Sequence, residues 1–395
     1  MSEYCKVILK SGKDQSVMRY HPWVFSGAIK KIKGEPAEGD VVAVYNNKDE
    51  FLALGHYQIG SIAVRILTFE QVEITVDFWK QKITRAYVYR QSLGITDSED
   101  TNVYRLIHAE GDGLPGLIVD YYSGNIVLQM HSVGMFMNRA VIASTIQGLY
   151  GEQLKSIYDK SESTLPFKAP IEPKNEFLTG SNGSAVVKEY GNIFNVDWIN
   201  GQKTGFFIDQ RENRRLLGEY AKGKKVLNMF GYTGGFSVFA LAGGATDVVS
   251  VDVSKKAIEM TNENIALNFG KEAAHEGIAT DAFDFLDKID NSFDVIVLDP
   301  PAFAKHHNVL HNALQGYKRL NAKAIEKVKP GGIIFTFSCS QVVSKENFRK
   351  SVFTAAANTG RNVRILHQLT QPVDHPVSIY HPEGEYLKGL VLYVE

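Results

Sequence analysis

From about residue 200 to its last residue the chain alternates short apolar runs with helical patterns, and this alternation limits the fold more than any other feature. The runs are Lys225 to Phe230, Val248 to Val253, Phe293 to Asp299 and Gly332 to Ser338, with a weaker one at Ile278 to Asp281. Helical spacing fills the intervals at Phe236 to Ala242, Lys255 to Phe269, His311 to Val328 and Lys345 to Asn358. Parallel strands need crossovers of this kind, so the expectation is an α/β fold with a doubly wound sheet. The last pair, Val363 to Leu369 and Leu387 to Val394, is joined by a His- and Pro-rich loop without a helix, and should be antiparallel. In such sheets ligands bind at the carboxyl ends of the strands, so the residues that follow each run are the candidate site.

Upstream the pattern differs. Residues 1 to 72 read as short strands (Lys6 to Lys10, Trp23 to Ile32, Val41 to Tyr45, Phe51 to Tyr57, Ile62 to Leu67) punctuated by Gly39-Asp40 and Asn46-Asn47-Lys48-Asp49, which predicts a small β-barrel or sandwich. Lys30, Lys31 and Lys33 cluster at one end, either as an edge that discourages strand pairing or as a phosphate-contacting patch. Residues 73 to 190 read as a separate α+β unit. Its helices fall at Asp77 to Leu93 and Met135 to Leu149, its strands at Val103 to Glu110, Gly116 to Tyr122, Asn125 to His131 and Ser156 to Lys160. Glu110 and Asp112 sit in a turn-forming stretch and are expected to be solvated acids of a tight loop. A hairpin, Ala185 to Tyr190 and Ile193 to Trp198, leads into residues 191 to 395, the α/β segment. At about 150 residues per domain, 395 residues suit two or three domains.

Two cysteines, Cys5 and Cys339, exclude a disulfide framework and a thiolate cluster for zinc or iron–sulfur, so no metal is expected. No apolar run approaches the roughly 20 residues of a membrane span, and a cytoplasmic protein is expected. With 43 basic and 44 acidic residues the formal net charge is -1, so any nucleic-acid contact must come from local patches such as Lys30, Lys31, Lys33 and Arg211.

A mostly parallel sheet closed by one antiparallel strand is the arrangement of class I methyltransferases. The first strand of this sheet runs into Phe230-Gly231-Tyr232-Thr233-Gly234-Gly235, a glycine turn that lets a ligand approach the backbone and opens a helix. About 20 residues on, Asp252 ends the next strand, where an acid takes ribose hydroxyls. The glycines do not match the dinucleotide fingerprint and no P-loop is present, so S-adenosylmethionine (SAM), which has adenosine but no pyrophosphate, fits better. Asp281 would accept from the adenine amino group, or cap the helix that follows, or do both.

Two strand ends carry the chemistry. In Leu298-Asp299-Pro300-Pro301-Ala302-Phe303 the prolines stop the strand and fix a stiff turn, which aims Asp299 and the Pro300 carbonyl at a planar heterocycle with Phe303 placed to stack. The plainer reading is a strand-to-loop turn with an apolar plug. Cys339, between Ser338 and Ser340, follows its strand rather than lying within it. A thiolate there could add to carbon 6 of a cytosine, turning carbon 5 into a nucleophile for a methylsulfonium, provided the base is unpaired or flipped out.

The stretches Asn200 to Arg211, Phe230 to Phe236, Asp299 to Phe303, Phe337 to Ser340 and His381 to Lys388 together resemble the RlmI-like family of bacterial 23S rRNA cytosine-C5 methyltransferases. The resemblance covers essentially the whole chain. It implies an N-terminal PUA RNA-binding domain, a central α+β domain and a C-terminal SAM-dependent methyltransferase domain. It further implies Cys339 as nucleophile and Asp299 at the target base. Phe230, Gly231, Tyr232, Gly234, Asp252 and Asp281 would surround the cofactor, and Lys203, Thr204, Asp209 and Arg211 would lie in a loop over it. The Asp-Pro-Pro turn has no second cysteine, so the base that removes the carbon 5 proton is unassigned. Ala302 stands where the best-known members carry lysine, and Lys305 is the nearby cation that could replace it.

Two rivals remain. A purine amino or ring nitrogen could be the methyl acceptor, since Asp-Pro-Pro turns also hold exocyclic amines. A non-catalytic rRNA-binding assembly factor with a relic methyltransferase fold is the other. The modified nucleotide and the oligomeric state, with a homodimer as one option, are left open.

Overall fold

The computed structural model describes residues 4–166, 171–304 and 306–395. Lys305 lies outside the described residues. By contacts the chain divides into two compact units, one of residues 1–187, 196–206 and 373–384, the other of residues 188–195, 207–372 and 385–395.

In the first unit a six-stranded sheet is built from β1 (Cys5–Leu9), β2 (Trp23–Phe25), β3 (Ile29–Lys33), β4 (Val41–Tyr45), β5 (Phe51–Tyr57) and β6 (Ile62–Thr68), in the order β2-β6-β5-β4-β1-β3. A one-turn helix α1 (Gln15–Met18) joins β1 to β2. Alternate residues of the strands, Val7, Leu9, Val42, Val44, Val64 and Ile66 among them, form its apolar core. The expected single strand Trp23 to Ile32 is broken by a 3-10 turn at Ser26–Ala28, where Gly27 and two small neighbours let the chain turn a corner.

Helix α2 (Val76–Ser92) and strands β7 (Val103–His108), β8 (Leu117–Tyr122) and β9 (Asn125–Met130) follow. The expected helix Met135 to Leu149 is two, α3 (Val133–Met137) and α4 (Arg139–Tyr150), because Asn138 leaves helical geometry and its Nδ2 donates to the Gly134 carbonyl at 2.7 Å. Strands β10 (Ser156–Asp159) and β11 (Glu176–Thr179) complete a sheet of order β11-β10-β9-β8-β7. Strands β12 (Ser184–Glu189) and β13 (Asn192–Asp197) form the expected hairpin.

Glu110 and Asp112 are not solvated, as expected from the loop's composition, but paired. Glu110 accepts from the Arg65 guanidinium and the Trp23 indole, both at 2.8 Å. Asp112 holds fully buried Arg90, whose Nη2 also donates to the Asp374 carbonyl at 2.8 Å. Distant cations decided their environment, which local sequence does not encode.

His56 is buried, stacks on Trp79 at 5.8 Å, and lies so close to Gly134 that any side chain there would overlap its ring. Burial lowers His56 from 6.5 to about 4. Burial likewise takes His275 to about 4. These rings stay neutral in the fold and take a proton on unfolding near pH 6.5, so stability intact above that value is lost as pH falls toward 4. Fully buried His56 should cost roughly 2 kcal/mol at about pH 5. Thermal melts at neutral and mildly acid pH should show the decline, and His56→Phe should flatten it; an unaltered slope would disprove the assignment.

The second unit opens with α5 (Arg211–Tyr220) and continues β14 (Lys225–Met229), α6 (Gly235–Ala242), β15 (Asp247–Asp252), α7 (Lys255–Phe269), β16 (His275–Ala279), α8 (Ala282–Lys288), β17 (Val295–Leu298), α9 (Leu310–Lys327), β18 (Gly332–Ser338), α10 (Lys345–Thr359), β19 (Val363–Leu369) and β20 (Lys388–Val394). The sheet order is β16-β15-β14-β17-β18-β20-β19. Strands β14 to β18 pair in parallel and β20 is antiparallel to both β18 and β19, as the alternation predicts. The weak third strand begins three residues earlier than expected, which moves Asp281 from strand end to helix cap. Apolar clusters cover both faces of the sheet, as a parallel sheet requires. Among the described residues no helix is long and apolar enough to cross a membrane.

Candidate active site

Register brings the strand ends together. Met229 pairs with both Val251 and Leu298, Asp252 with Ala279, and Leu298 with Thr336. Phe230, Asp252, Asp281, Asp299 and Cys339 therefore emerge along one edge of one sheet, where α/β folds bind ligands.

At the glycine turn Phe230, Tyr232 and Gly234 have φ of +61°, +46° and +75°. Left-handed geometry at two non-glycine residues costs about 1–2 kcal/mol each, and such strain gathers at functional sites. Helix α7 holds the turn from outside: Thr261 Oγ1 donates to the Tyr232 carbonyl at 3.0 Å and Asn264 Nδ2 to the Thr233 carbonyl at 2.9 Å. A side chain at Gly234 would lie 2.7 Å from Thr261 Cγ2, so the approach requires glycine. Beneath it runs a polar chain that sequence reasoning missed. Asn228 Nδ2 donates to Ser237 Oγ at 2.8 Å, Ser237 and Ser250 hydroxyls meet at 2.6 Å, and His275 Nε2 lies 2.8 Å from Ser250 Oγ.

Asp252 Oδ2 accepts from the Tyr232 amide at 3.1 Å and Oδ1 from the Ser254 amide at 2.9 Å. A carboxylate has about four lone-pair sites, so this fixed acid retains acceptor capacity for two ribose hydroxyls. Asp281 caps α8, its Oδ1 accepting from the amides of Phe283 and Asp284 at 2.8 and 3.2 Å. The cap uses one oxygen, which leaves the other to accept from an amino group. Phe207 packs edge-on against Tyr232, 5.1 Å between rings. These residues fit adenosine and the amino-acid end of SAM, whose chemistry when bound is an electrophilic methyl group.

The two chemical ends are tied to each other. Ser340 Oγ donates to the Ala304 carbonyl at 2.6 Å, joining the loop after Cys339 to the loop after Asp299. Tyr317, fully buried on α9, accepts from Ser338 Oγ at 2.9 Å and packs on Phe303 at 4.7 Å. Burial pushes the Tyr317 phenol up to about 12; the Ser338 hydrogen bond opposes this, and charge on Cys339 and on Asp299 adds to it. Asp299 and Cys339 are half-buried and Pro300 is buried. Phe303 fits against Gly316, where a side chain would lie 3.0 Å from its ring, so the structure shows the plug role. Ser338, Ser340 and Tyr317 were invisible as a set because they lie on different elements.

The loop 200–211 is divided. In the first unit Lys203 is exposed at φ +48°, while buried Thr204 accepts from the Tyr122 hydroxyl at 3.0 Å and donates to Asp120 at 2.7 Å. In the second unit Asp209 accepts from the Tyr386 hydroxyl at 2.7 Å. Arg211 is only 2 % exposed and presents no charge to solvent. Lys30, Lys31 and Lys33 are exposed on β3, an edge strand, where alternation puts Lys31 and Lys33 on one face and Lys30 on the other.

Comparison with known proteins agrees with this geometry. Residues 165–378 match the S-adenosylmethionine-dependent methyltransferase family, and residues 7–69 match a PUA-like domain. The chain is 39% identical over 391 residues to ribosomal RNA large subunit methyltransferase I of Enterobacter sp. (strain 638), covering 97% of this chain and 98% of the relative. The protein of that name from Aeromonas salmonicida (strain A449) is 39% identical over 393 residues, covering 98% of each. A candidate SAM-dependent methyltransferase from Streptococcus mutans superposes with a TM-score of 0.84 at 23% identity, over 98% of this chain and 100% of that one. A methyltransferase candidate solved with SAH superposes at 0.85, again at 23% identity, over 98% and 100% of the two chains. The strand order, the glycine turn with Asp252 at the next strand's end and these full-length likenesses place the chain in the family of SAM-dependent methyltransferases to which the ribosomal RNA large subunit methyltransferase I proteins belong.

Proposed function

We propose that this methyltransferase transfers a methyl group to carbon 5 of a cytidine in large-subunit (23S) rRNA. The observation that carries the reading is the half-buried thiol of Cys339 at the end of β18, on a loop hydrogen-bonded to the loop that follows Asp299. The Cys339 thiolate adds to carbon 6 of an extruded cytosine, and carbon 5 gains the electron pair needed to accept a methyl group. Removal of the carbon 5 proton then expels the thiolate and restores the ring. Asp299 holds the base edge through its carboxyl group, and the Pro300 turn keeps that carboxyl group aimed. The PUA-like region at 7–69 supplies RNA affinity in this reading, with Lys30, Lys31, Lys33 and exposed Lys203 as phosphate contacts.

Mapping modified bases in 23S rRNA from cells with and without the protein is the direct test. One 5-methylcytidine should vanish without it. RNA carrying 5-azacytidine should form an adduct with the wild-type enzyme that survives denaturation. Loss of a methylated purine instead, with no adduct, would replace this reading by amino-group methylation.

A further inference from the structure

Lys388 opens β20, a strand otherwise composed of Gly389 and apolar or aromatic residues up to Val394, and stands opposite Ser338 in the antiparallel pair. Its side chain is buried, with the residue 5% exposed. Nζ donates to the Ser340 carbonyl at 2.6 Å and to the Val343 carbonyl at 2.7 Å, so the amine spans the turn that begins at Cys339. A buried lysine is costly unless something near it repays the charge. Two carbonyls would serve equally well for a neutral donor, and a leucine there would simply extend the apolar strand.

We propose that Lys388 is a positioning residue that holds the Cys339 turn and keeps the Cys339 sulfur as a thiolate. The inference rests on Cys339 being the nucleophile. Burial lowers the Lys388 amine from 10.5 to about 8, and the neighbouring Cys339, by favouring the charged amine, offsets part of that fall. The preference is mutual: an amine charge stabilised by a thiolate stabilises that thiolate. Of the other groups that bear on the amine, Lys345 opposes its charge and Glu385 favours it, and the two pair at 2.8 Å. The two hydrogen bonds commit Nζ to the turn, which sets Lys388 apart from a base that takes a proton from substrate.

The test needs no RNA, so it reads separately from the methylation reaction. In a Cys5→Ser background Cys339 is the only thiol, and its alkylation by iodoacetamide is followed against pH. The wild-type thiol should titrate below the usual value of about 8.5. Lys388→Met should raise it by about one unit and slow alkylation at neutral pH about tenfold, and Lys388→Arg should restore most of the difference. A thiol at or above about 8.5 in the protein with Lys388 intact overturns the proposal, whether or not Lys388→Met folds. Equal values in folded Lys388→Met and its parent overturn it as well. A low thiol value together with absence of any 5-azacytidine adduct would uphold the pairing and reject Cys339 as nucleophile instead.

Discussion

Cys339→Ala should lower RNA methylation by about a thousandfold or more while leaving SAM binding intact. The size follows from chemistry: without addition at carbon 6, carbon 5 of cytosine has no electron pair with which to meet a methylsulfonium. The selectivity follows from structure. Cys339 is half-buried at a strand end, so removing one sulfur leaves only a small gap. The glycine turn, Asp252 and Asp281 are held by α7 and α8 through bonds that do not involve it. Activity on unmodified 23S rRNA and a calorimetric SAM titration should therefore separate cleanly. Full methylation by the variant would sink the covalent mechanism.

Glu189→Ala should destabilise the second unit by about 3–5 kcal/mol. Glu189 is fully buried and meets Arg214, 3 % exposed, through two bonds of 2.8 Å. Removing the acid strands a guanidinium in the interior, where desolvation is uncompensated. At roughly 2–4 °C per kcal/mol the melting temperature should fall by about ten degrees. The effect reaches the site because Arg214 Nη1 also donates to the Phe207 carbonyl at 2.9 Å, and a side chain at Gly235 would lie 2.8 Å from Arg214 Cδ. The pair thus braces the residue beside Tyr232 and the start of α6, and SAM affinity should drop with stability. Replacing both members by apolar residues of similar volume should recover most of the loss. A single-variant cost under about 1 kcal/mol would show that the pair contributes only geometry.

Helix α5 shows what hydrophobic pattern cannot find. Its buried residues are Arg211, Asn213, Arg214 and Leu217, so most of its inward face is polar and only its later turns, at Leu216, Leu217 and Tyr220, pack apolar side chains. The elements of the parallel sheet were legible for the opposite reason: strands covered on both faces must be continuous apolar runs, and their crossovers must be amphipathic. Asp299 and Cys339 were legible because proline and a hydroxyl-flanked thiol at strand ends have few structural uses. Lys388 stood within a recognisable tail motif, but its partner carbonyls lie 45 and 48 residues away.

Periodicity, glycine and proline placement, and the order of the motifs determined by themselves the doubly wound sheet and the glycine turn, and singled out Cys339 as the candidate thiol. These are local constraints on backbone geometry and on side-chain chemistry, written in consecutive residues. Only the tertiary structure decided that Glu110 and Asp112 are paired and that Arg211 turns inward. It also decided that Ser340, Tyr317 and Lys388 lock the two chemical ends. Those outcomes depend on the charges and donors that distant segments bring within hydrogen-bond range, a property of chain packing to which no local pattern is sensitive.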